Sequence, residues 1–202
     1  MINSRKAVSQ LAKIERLTNP KMRLAAEWEK PWQALISTIL SPMTRDETTI
    51  MCSEILYKKY PSLKSLSKAK LKEVIKLIKP INYHKTKAKH IIETAKILIK
   101  NKRIPDNREE LLKLQGVGRK VANVYLVHIH NTAAIGVDTH VAYLSKVLGW
   151  TKNQVPRKIE RDLEKLFPKR LWNSINYILV RFGRMHKTRK KQVQVLRENK
   201  II

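Results

Sequence analysis

Residues 114–140 read LQGVGRKVANVYLVHIHNTAAIGVDTH, and this stretch does most to predict the fold and the chemistry. Two glycines, Gly116 and Gly118, are separated by one residue and stand between apolar runs of helical spacing. Such a pair predicts a tight hairpin between helices, whose outward-pointing backbone N–H groups can hold a phosphate. Lys120 follows the hairpin and Asp138 comes 18 residues later. The same stretch therefore offers an amine nucleophile and a carboxylate.

The chain is strongly basic. Its 202 residues include 43 Lys and Arg against 16 Asp and Glu, a formal net charge of +27 and a sequence pI near 10.4. Such an excess repels itself in the free protein and is relieved on a polyanion. Nucleic acid is therefore the first partner to consider and an anionic membrane the second.

The membrane interpretation fails on length, because no apolar run approaches the roughly 20 residues needed to span a bilayer. The first residues have an amphipathic helical pattern and lack the apolar core of a secretory signal. We therefore expect an intracellular protein, in the cytoplasm or nucleoid, or in the nucleus of a eukaryote. Cys52 is the only cysteine, so the chain cannot build an internal disulfide or a cysteine-ligated zinc or iron–sulfur site.

Apolar residues recur with helical spacing along nearly the whole chain, which predicts an all-α fold. Several residues look like helix starts. These are Thr44, for a helix to about Tyr60; Ser67, for residues 68–77; Asn107; Asp138; and Pro156. A helix is expected from about Lys85 to Lys100, and a basic tail after Met185.

Two residues allow more than one interpretation. Asp138 stays ionised as a helix N-cap, and capping could be its only role. Lys120 could be a solvated charge or a phosphate contact, as most lysines are. Its place in the first turn after the hairpin favours the third interpretation, a nucleophile toward carbonyl-like or acetal carbons.

The segments LQGVGRKVAN and VDTHV resemble the motifs of helix-hairpin-helix DNA glycosylases. The resemblance is to the endonuclease III branch, whose motifs read Leu-Pro-Gly-Val-Gly-Arg-Lys-Thr-Ala-Asn and Val-Asp-Thr-His. It extends more weakly over residues 31–184, including PWQALISTILS and NYHKTKAKHI. Gln115 stands where the family hairpin usually has proline, which loosens the turn slightly.

The resemblance implies an all-α, two-lobed, monomeric protein of the HhH-GPD fold with DNA in a groove between the lobes. Residues 30–133 would form a helical barrel that includes the hairpin. Residues 134–202 would form the other lobe with its basic tail, and residues 1–29 would pack on that lobe. Lys120 and Asp138 would then face the groove from opposite lobes, where an extruded nucleotide enters.

The implied activity is base excision from double-stranded DNA containing damaged bases or abasic sites. A bifunctional enzyme would remove oxidised pyrimidines such as thymine glycol, using Lys120 to form a Schiff base and Asp138 to assist, and would then cut the strand by β-elimination. The alternatives are a glycosylase for 8-oxoguanine, uracil or mismatched thymine, or a non-catalytic DNA-binding module. A basic structural protein would explain the charge but not the spacing of Lys120 and Asp138.

The resemblance and the charge together nominate the residues that contact DNA. The candidates are Gly116, Val117, Gly118, Arg119, Lys85, Lys87, His140, Arg184, Lys187, Arg189, Lys190 and Lys191. Simple solvation is the better interpretation for at least half of the charged ones. The hairpin carbonyls could also hold a monovalent cation that bridges to the DNA backbone.

Tyr83 and Met43 align with the residues that fill the gap left by a flipped base in the family. Tyr83 could wedge by stacking. Met43 stands where the family has a glutamine, and methionine cannot read the orphaned base by hydrogen bonds. Both could equally be core residues.

The clearest departure from the family is at the end of the chain. Endonuclease III normally ends in a loop whose four cysteines bind a [4Fe–4S] cluster. Residues 183–202 here read GRMHKTRKKQVQVLRENKII and contain no cysteine, so we expect no cluster and no resident metal. The basic run 186–191 could replace the positive charge of that loop.

Overall fold

The computed structural model describes residues 2–202, and over that range the secondary structure is helical without a strand. The all-α prediction is therefore confirmed. The chain divides into two compact units. We call residues 24–130 the middle unit, and residues 2–23 together with 131–202 the terminal unit. None of the helices over residues 2–202 has the length and apolar content that crossing a bilayer requires.

The middle unit is built around one helix that is buried on every side over residues 34–40. Its helices are α2 (Pro31–Leu40), α3 (Asp46–Lys59), α4 (Leu63–Ser67), α5 (Leu71–Leu77), α6 (His84–Asn101), α7 (Arg108–Leu111) and α8 (Arg119–His130). Residues 34–40 of α2 are all buried, and α3, α6 and α8 pack around this helix. A helix buried all round is typical of a core position, so α2 is the axis of this unit.

The terminal unit brings both ends of the chain into one core. Its α-helices are α1 (Ser4–Arg16), α9 (Thr139–Val147), α10 (Pro156–Leu166), α11 (Trp172–Met185) and α12 (Arg189–Glu198), with a 3₁₀ turn over Lys169–Leu171. Trp150 and Phe167 meet edge to face with ring centroids 4.8 Å apart. Buried Gln10 of α1 accepts a hydrogen bond from the Trp150 indole N–H (2.7 Å) and donates one to the Ile201 carbonyl (2.8 Å). The first helix and the last residues are thereby held to the same core.

Local capping signals predicted several helix starts correctly. Asn107 caps α7 through a hydrogen bond from the Glu110 N–H (3.0 Å), Asp138 caps α9, and Pro156 is the first residue of α10. The helix expected from about Lys85 to Lys100 is α6, which is one residue longer at each end.

Two predicted helix starts are wrong. Thr44 does not cap α3, which begins at Asp46; its hydroxyl instead accepts hydrogen bonds from the Asn82 N–H (3.2 Å) and Lys87 Nζ (3.3 Å). Ser67 ends α4 instead of starting a helix, because its hydroxyl donates to the Lys64 carbonyl (2.9 Å); the next helix begins at Leu71. In both places a competing hydrogen bond partner decided the outcome.

The basic tail is a helix and not an extended segment. Thr188 caps α12 through a hydrogen bond from the Lys191 N–H (3.2 Å). Buried Gln192 donates to the carbonyls of Gly183 (3.1 Å) and His186 (2.8 Å), and Leu196 is fully buried. These contacts fix α12 to the end of α11 within the terminal unit.

Replacing Gln10 with alanine tests the closure of the terminal unit. The change leaves the buried Trp150 N–H and Ile201 carbonyl without their partner, which should lower the free energy of unfolding by about 2 to 4 kcal/mol. Urea unfolding measures this, with Gln194→Ala on the exposed face of α12 as the matched control. Equal stability of the two variants would contradict the role given to Gln10.

Candidate active site

The glycine hairpin joins α7 to α8, and its two glycines are needed for different reasons. Gly116 has φ +76°, and a Cβ there would lie 2.8 Å from His90 Nδ1 and 2.9 Å from Ile39 Cγ2. Gly118 is exposed, and a Cβ there would meet nothing within 4 Å. Gly116 is thus required for the packing of the hairpin. Gly118 leaves open surface at the start of α8, where first-turn N–H groups lack helical acceptors.

The carbonyls of the hairpin already accept hydrogen bonds. Leu114 accepts one from the Val117 N–H (3.2 Å), and Gln115 accepts one from the Thr94 hydroxyl (3.1 Å). Both contacts hold the turn that glycine makes possible. The monovalent cation stays a prediction for this turn.

Lys120 lies in the first turn of α8 and is partly buried. Its Nζ donates a hydrogen bond to Ser41 Oγ at 3.3 Å. Ser41 is buried at the end of α2, and its own hydroxyl donates to the Thr38 carbonyl (3.1 Å). The amine is therefore oriented by a hydroxyl that is itself fixed, as a nucleophile must be to reach one reacting atom.

Lys87, which was predicted to contact a phosphate, has its side chain in the interior of the middle unit. Its side chain is only 7% exposed, and Nζ donates to the carbonyls of Leu40 (2.7 Å) and Pro42 (2.5 Å) as well as to Thr44. Burial, followed by the charge of Lys120, lowers the pKa of Lys87 to about 8. All three ammonium hydrogens are committed inside the protein, so the structure argues against the predicted phosphate contact.

Met43 and Tyr83 are not core residues. Their side chains are 67% and 69% exposed, and both have a left-handed backbone with φ 58°. This conformation costs a non-glycine residue roughly 1 to 2 kcal/mol, and such strain on a surface loop is typical of functional sites. Asn82 joins the two loops, because its side-chain amide donates to the Met43 carbonyl. The core interpretation of both residues is excluded, while insertion into DNA stays a prediction.

Asp138 lies in the terminal unit and is partly buried at the N-terminus of α9. Its Oδ1 accepts a hydrogen bond from the Val141 N–H at 2.8 Å. The predicted cap is thus confirmed, and it uses one carboxylate oxygen. His140 packs so closely on α11 that a Cβ at Gly183 would lie 2.1 Å from its Nδ1. The absence of a side chain at position 183 therefore lets the His140 ring lie against α11, two residues after Asp138.

The other predicted contacts differ in how exposed they are. Lys85, Lys187, Lys190 and Lys191 are exposed, whereas Val117 is buried and Arg119 is partly buried. Arg184 donates to the Arg23 carbonyl (2.8 Å), and the Arg189 guanidinium lies over the Tyr143 ring, 4.6 Å from its centroid. Exposed lysines are the better placed of these for phosphates, since their ammonium groups can reach outward.

The sequence interpretation missed three residues of the middle unit. Ser41, which holds the Lys120 amine, and Asn82, which joins the two exposed loops, lie in the segments PWQALISTILS and NYHKTKAKHI of the family resemblance, but no pattern in the chain marked either residue by itself. The buried position of Lys87 did, because residues 87, 91, 95 and 98 share one face of α6 and the last three are apolar. A lysine on that face is expected to find acceptors inside the protein.

The donors for a cysteine-ligated cluster are missing. Cys52 is buried on α3 in the middle unit, and residues 183–202 of α11 and α12 contain no cysteine. Over residues 2–202 no three His, Cys, Asp or Glu side chains come together in a way that could hold a metal ion. The four-cysteine iron–sulfur site of the family does not fit this chain.

Comparison with known proteins gives a consistent result. Residues 36–169 match the model of the HhH-GPD superfamily base excision DNA repair protein. Endonuclease III of Thermotoga maritima is 45% identical over 156 residues, which cover 76% of this chain and 73% of that protein. Two solved structures are also similar. A non-covalent endonuclease III–DNA complex has a TM-score of 0.86 at 30% identity, covering 94% of this chain and 90% of the other. A trapped endonuclease III–DNA covalent intermediate has a TM-score of 0.85 at 30% identity, covering 93% and 89%.

Replacing each hairpin glycine with alanine tests whether Gly116 is needed for packing while Gly118 lies on open surface. Gly116→Ala should lower the free energy of unfolding by about 2 to 4 kcal/mol, because it combines a left-handed backbone with a clash against His90 and Ile39. Gly118→Ala should change it by less than about 0.5 kcal/mol, as expected of a surface substitution. Thermal unfolding of both variants checks this. Equal losses in the two variants would contradict the packing at Gly116.

Proposed function

Because the chain belongs to the HhH-GPD superfamily and is an endonuclease III-type DNA glycosylase and abasic-site lyase of base excision repair, we propose that Lys120 is its nucleophile. We further propose that Asp138 assists and that oxidised pyrimidines such as thymine glycol are its substrates. The choice of lesion rests on the similarity to endonuclease III. The observation that carries the choice of nucleophile is the hydrogen bond by which Ser41, at the end of α2, orients the amine of Lys120, which directly follows the hairpin.

The reaction begins with a damaged nucleotide turned out of the duplex, since its sugar cannot be reached inside the helix. The neutral Lys120 amine attacks C1′ and forms a C–N bond, while the bond from C1′ to the base breaks and the base leaves with that electron pair. Asp138 stabilises the positive charge that develops on the sugar, or accepts the proton that the amine loses.

The C1′–O4′ bond of the sugar ring then breaks and O4′ takes a proton, so that Lys120 holds the opened sugar as a protonated Schiff base. Loss of a C2′ proton gives an enamine, and expulsion of the 3′ phosphate breaks the C3′–O bond, which cuts the strand. Water hydrolyses the Schiff base and returns the amine. An amine nucleophile explains why base removal and strand cleavage occur in one enzyme, since attack by water would stop at an abasic site.

Binding to double-stranded DNA is assigned to the hairpin and to exposed lysines. N–H groups near Gly118 at the start of α8 can donate to a phosphate, because Gly118 presents no side chain to keep the backbone of DNA away. Lys85 of the middle unit and Lys187, Lys190 and Lys191 of the terminal unit are proposed to bind further phosphates, within a net charge of +27. His140 and Arg119 are retained as contacts on the family resemblance.

Tyr83 and Met43 are proposed to fill the gap that the flipped nucleotide leaves. Their exposure and left-handed backbones support this, because two large apolar side chains are held out in water at a conformational cost. Tyr83 can stack between bases, whereas the Met43 side chain can only fill space. We therefore expect weak preference for the base opposite the lesion.

We propose that the enzyme acts without an iron–sulfur cluster or another resident metal. The helix α12 occupies the sequence position where the family has its cysteine loop, and Gln192 and Leu196 hold it to the rest of the terminal unit. Its exposed lysines keep basic charge in that part of the chain.

Trapping with borohydride tests the chemistry. Wild-type protein should form a covalent adduct with an abasic duplex, because borohydride reduces the Schiff base. Lys120→Ala should lose this adduct by about 10³-fold or more. Lys113→Ala, which removes an exposed lysine from the same hairpin, is the matched control and should trap normally. A persisting adduct in Lys120→Ala would overturn the assignment.

Asp138→Asn tests the carboxylate separately. The amide oxygen can still cap α9, so folding should be kept, while base removal from a thymine-glycol duplex should slow by about 100-fold. Binding to the same duplex, measured by fluorescence anisotropy, should change little. Equal loss of binding and rate would show that Asp138 is only a cap.

A further inference from the structure

The end of α2 is held by a charge that the reaction scheme does not use. Leu40 is the last residue of α2, and Pro42 follows two residues later and lacks an N–H. The last carbonyls of a helix have no helical donors, and a cation is favoured at this end of the helix dipole. Lys87 from α6 supplies that cation and donates to both the Leu40 and Pro42 carbonyls.

The segment that Lys87 holds, residues 40–44, carries parts of two different functions. Ser41 in this segment accepts the hydrogen bond from Lys120. Met43, two residues later, is the exposed residue proposed to fill the gap in the duplex. Lys87 bonds to residues on both sides of Ser41 and of Met43, because its third contact is with Thr44.

A second link ties the same segment to the loop that carries Tyr83. Thr44 Oγ1 accepts from the Asn82 N–H (3.2 Å), and the Asn82 side chain donates to the Met43 carbonyl. Lys87 lies on α6, which begins directly after Tyr83. The loops that carry Met43 and Tyr83 are therefore joined by hydrogen bonds, and Ser41 lies between the two residues whose carbonyls Lys87 binds. Among residues 40–44 and 82–87, Lys87 is the only buried charged side chain.

The ammonium is well suited to this task. At pH 7 a lysine with a pKa of about 8 is still mostly protonated, so it has three N–H groups for three acceptors. Removing it leaves the buried Leu40 carbonyl and the partly buried Pro42 carbonyl without this donor, which costs free energy. The segment would then be free to move relative to Lys120.

We propose that Lys87 is a positioning residue that fixes the gap-filling residues and the Ser41 hydroxyl in register with the Lys120 amine. It acts on the step in which the nucleotide is turned out and presented to the amine, and it does not touch DNA. The inference rests on the proposed function, since it assumes that Lys120 attacks the sugar.

The experiment compares Lys87→Met with Lys89→Met, which removes an exposed lysine two residues later in α6. With enzyme in excess over a thymine-glycol duplex, Lys87→Met should lower the single-turnover rate of base removal by about 10- to 100-fold, because misplacement of about 1 Å costs that much. Its dissociation constant for the duplex should stay within about twofold of wild type. Lys89→Met should leave both the rate and the dissociation constant within about twofold of wild type, because its exposed side chain is not part of the segment that Lys87 holds.

Base extrusion is followed directly by the fluorescence of a 2-aminopurine placed next to the lesion. A variant that is less stable but still fully folded under the assay conditions would extrude the base at the wild-type rate. Lys87→Met should show slower extrusion. The exposed variant Asn82→Ala, which cannot compromise the core, should slow extrusion in the same direction by a smaller factor. This second variant keeps the test decisive if Lys87→Met fails to fold.

The possible outcomes separate the inference from the function it rests on. Wild-type extrusion and rate in both Lys87→Met and Asn82→Ala would overturn the role of Lys87, while trapping through Lys120 would still support the proposed function. No adduct with wild-type protein would overturn the proposed function itself. Weaker binding by Lys87→Met, at an unchanged rate, would make Lys87 a phosphate contact after all.

Discussion

The absence of a side chain at Gly116 is the constraint on which the middle unit depends. His90 and Ile39 come within 3 Å of where a Cβ would lie, so α2, α6 and the hairpin can approach one another only at a glycine. That approach sets where α8 begins, and Lys120 is in the first turn of α8. The Lys120 amine therefore reaches Ser41 at the end of α2 because of the close packing at Gly116, four residues earlier in the chain.

The same principle operates in the terminal unit. Gly183 allows the His140 ring to lie against α11, two residues after Asp138, which is the cap of α9. Each of the two proposed reacting groups is thus placed in the first turn or at the cap of a helix, and each helix start packs near a glycine that cannot be replaced without a clash. A rigid element is a better support for a reacting group than a loop, since small displacements cost large factors in rate.

Most of the fold could be predicted from the sequence because its signals are local. The N-caps Asn107 and Asp138, the first-turn Pro156 and the apolar stripe of α6 each depend on residues within a turn or two, and each was predicted correctly. The prediction that Thr44 starts a helix was wrong because the signal that decides its position is not local. Its hydroxyl is taken by Asn82 and Lys87, which are about 40 residues away in the chain, and no local pattern contains that information.

The site could be predicted only as far as its motif extends. The glycines, Lys120 and Asp138 carry a recognisable spacing, but Ser41 and Asn82 acquire their roles through contacts made on folding. Lys87 was misread because a lysine in a basic chain is expected at the surface, although its place on the apolar face of α6 indicated burial. The expectation that no iron–sulfur cluster is bound comes from the sequence, since one cysteine cannot supply four ligands.

The proposed reaction depends on one covalent bond, between Lys120 Nζ and C1′ of the damaged nucleotide. Peptide mapping by mass spectrometry of the borohydride-reduced adduct identifies the amine that formed it. Two candidate amines, those of Lys120 and Lys87, lie close together in the middle unit. We predict that the deoxyribose remnant is found on the peptide that contains Lys120. A remnant on Lys87 or on the N-terminal amine would contradict the assignment, whatever the rates of the variants.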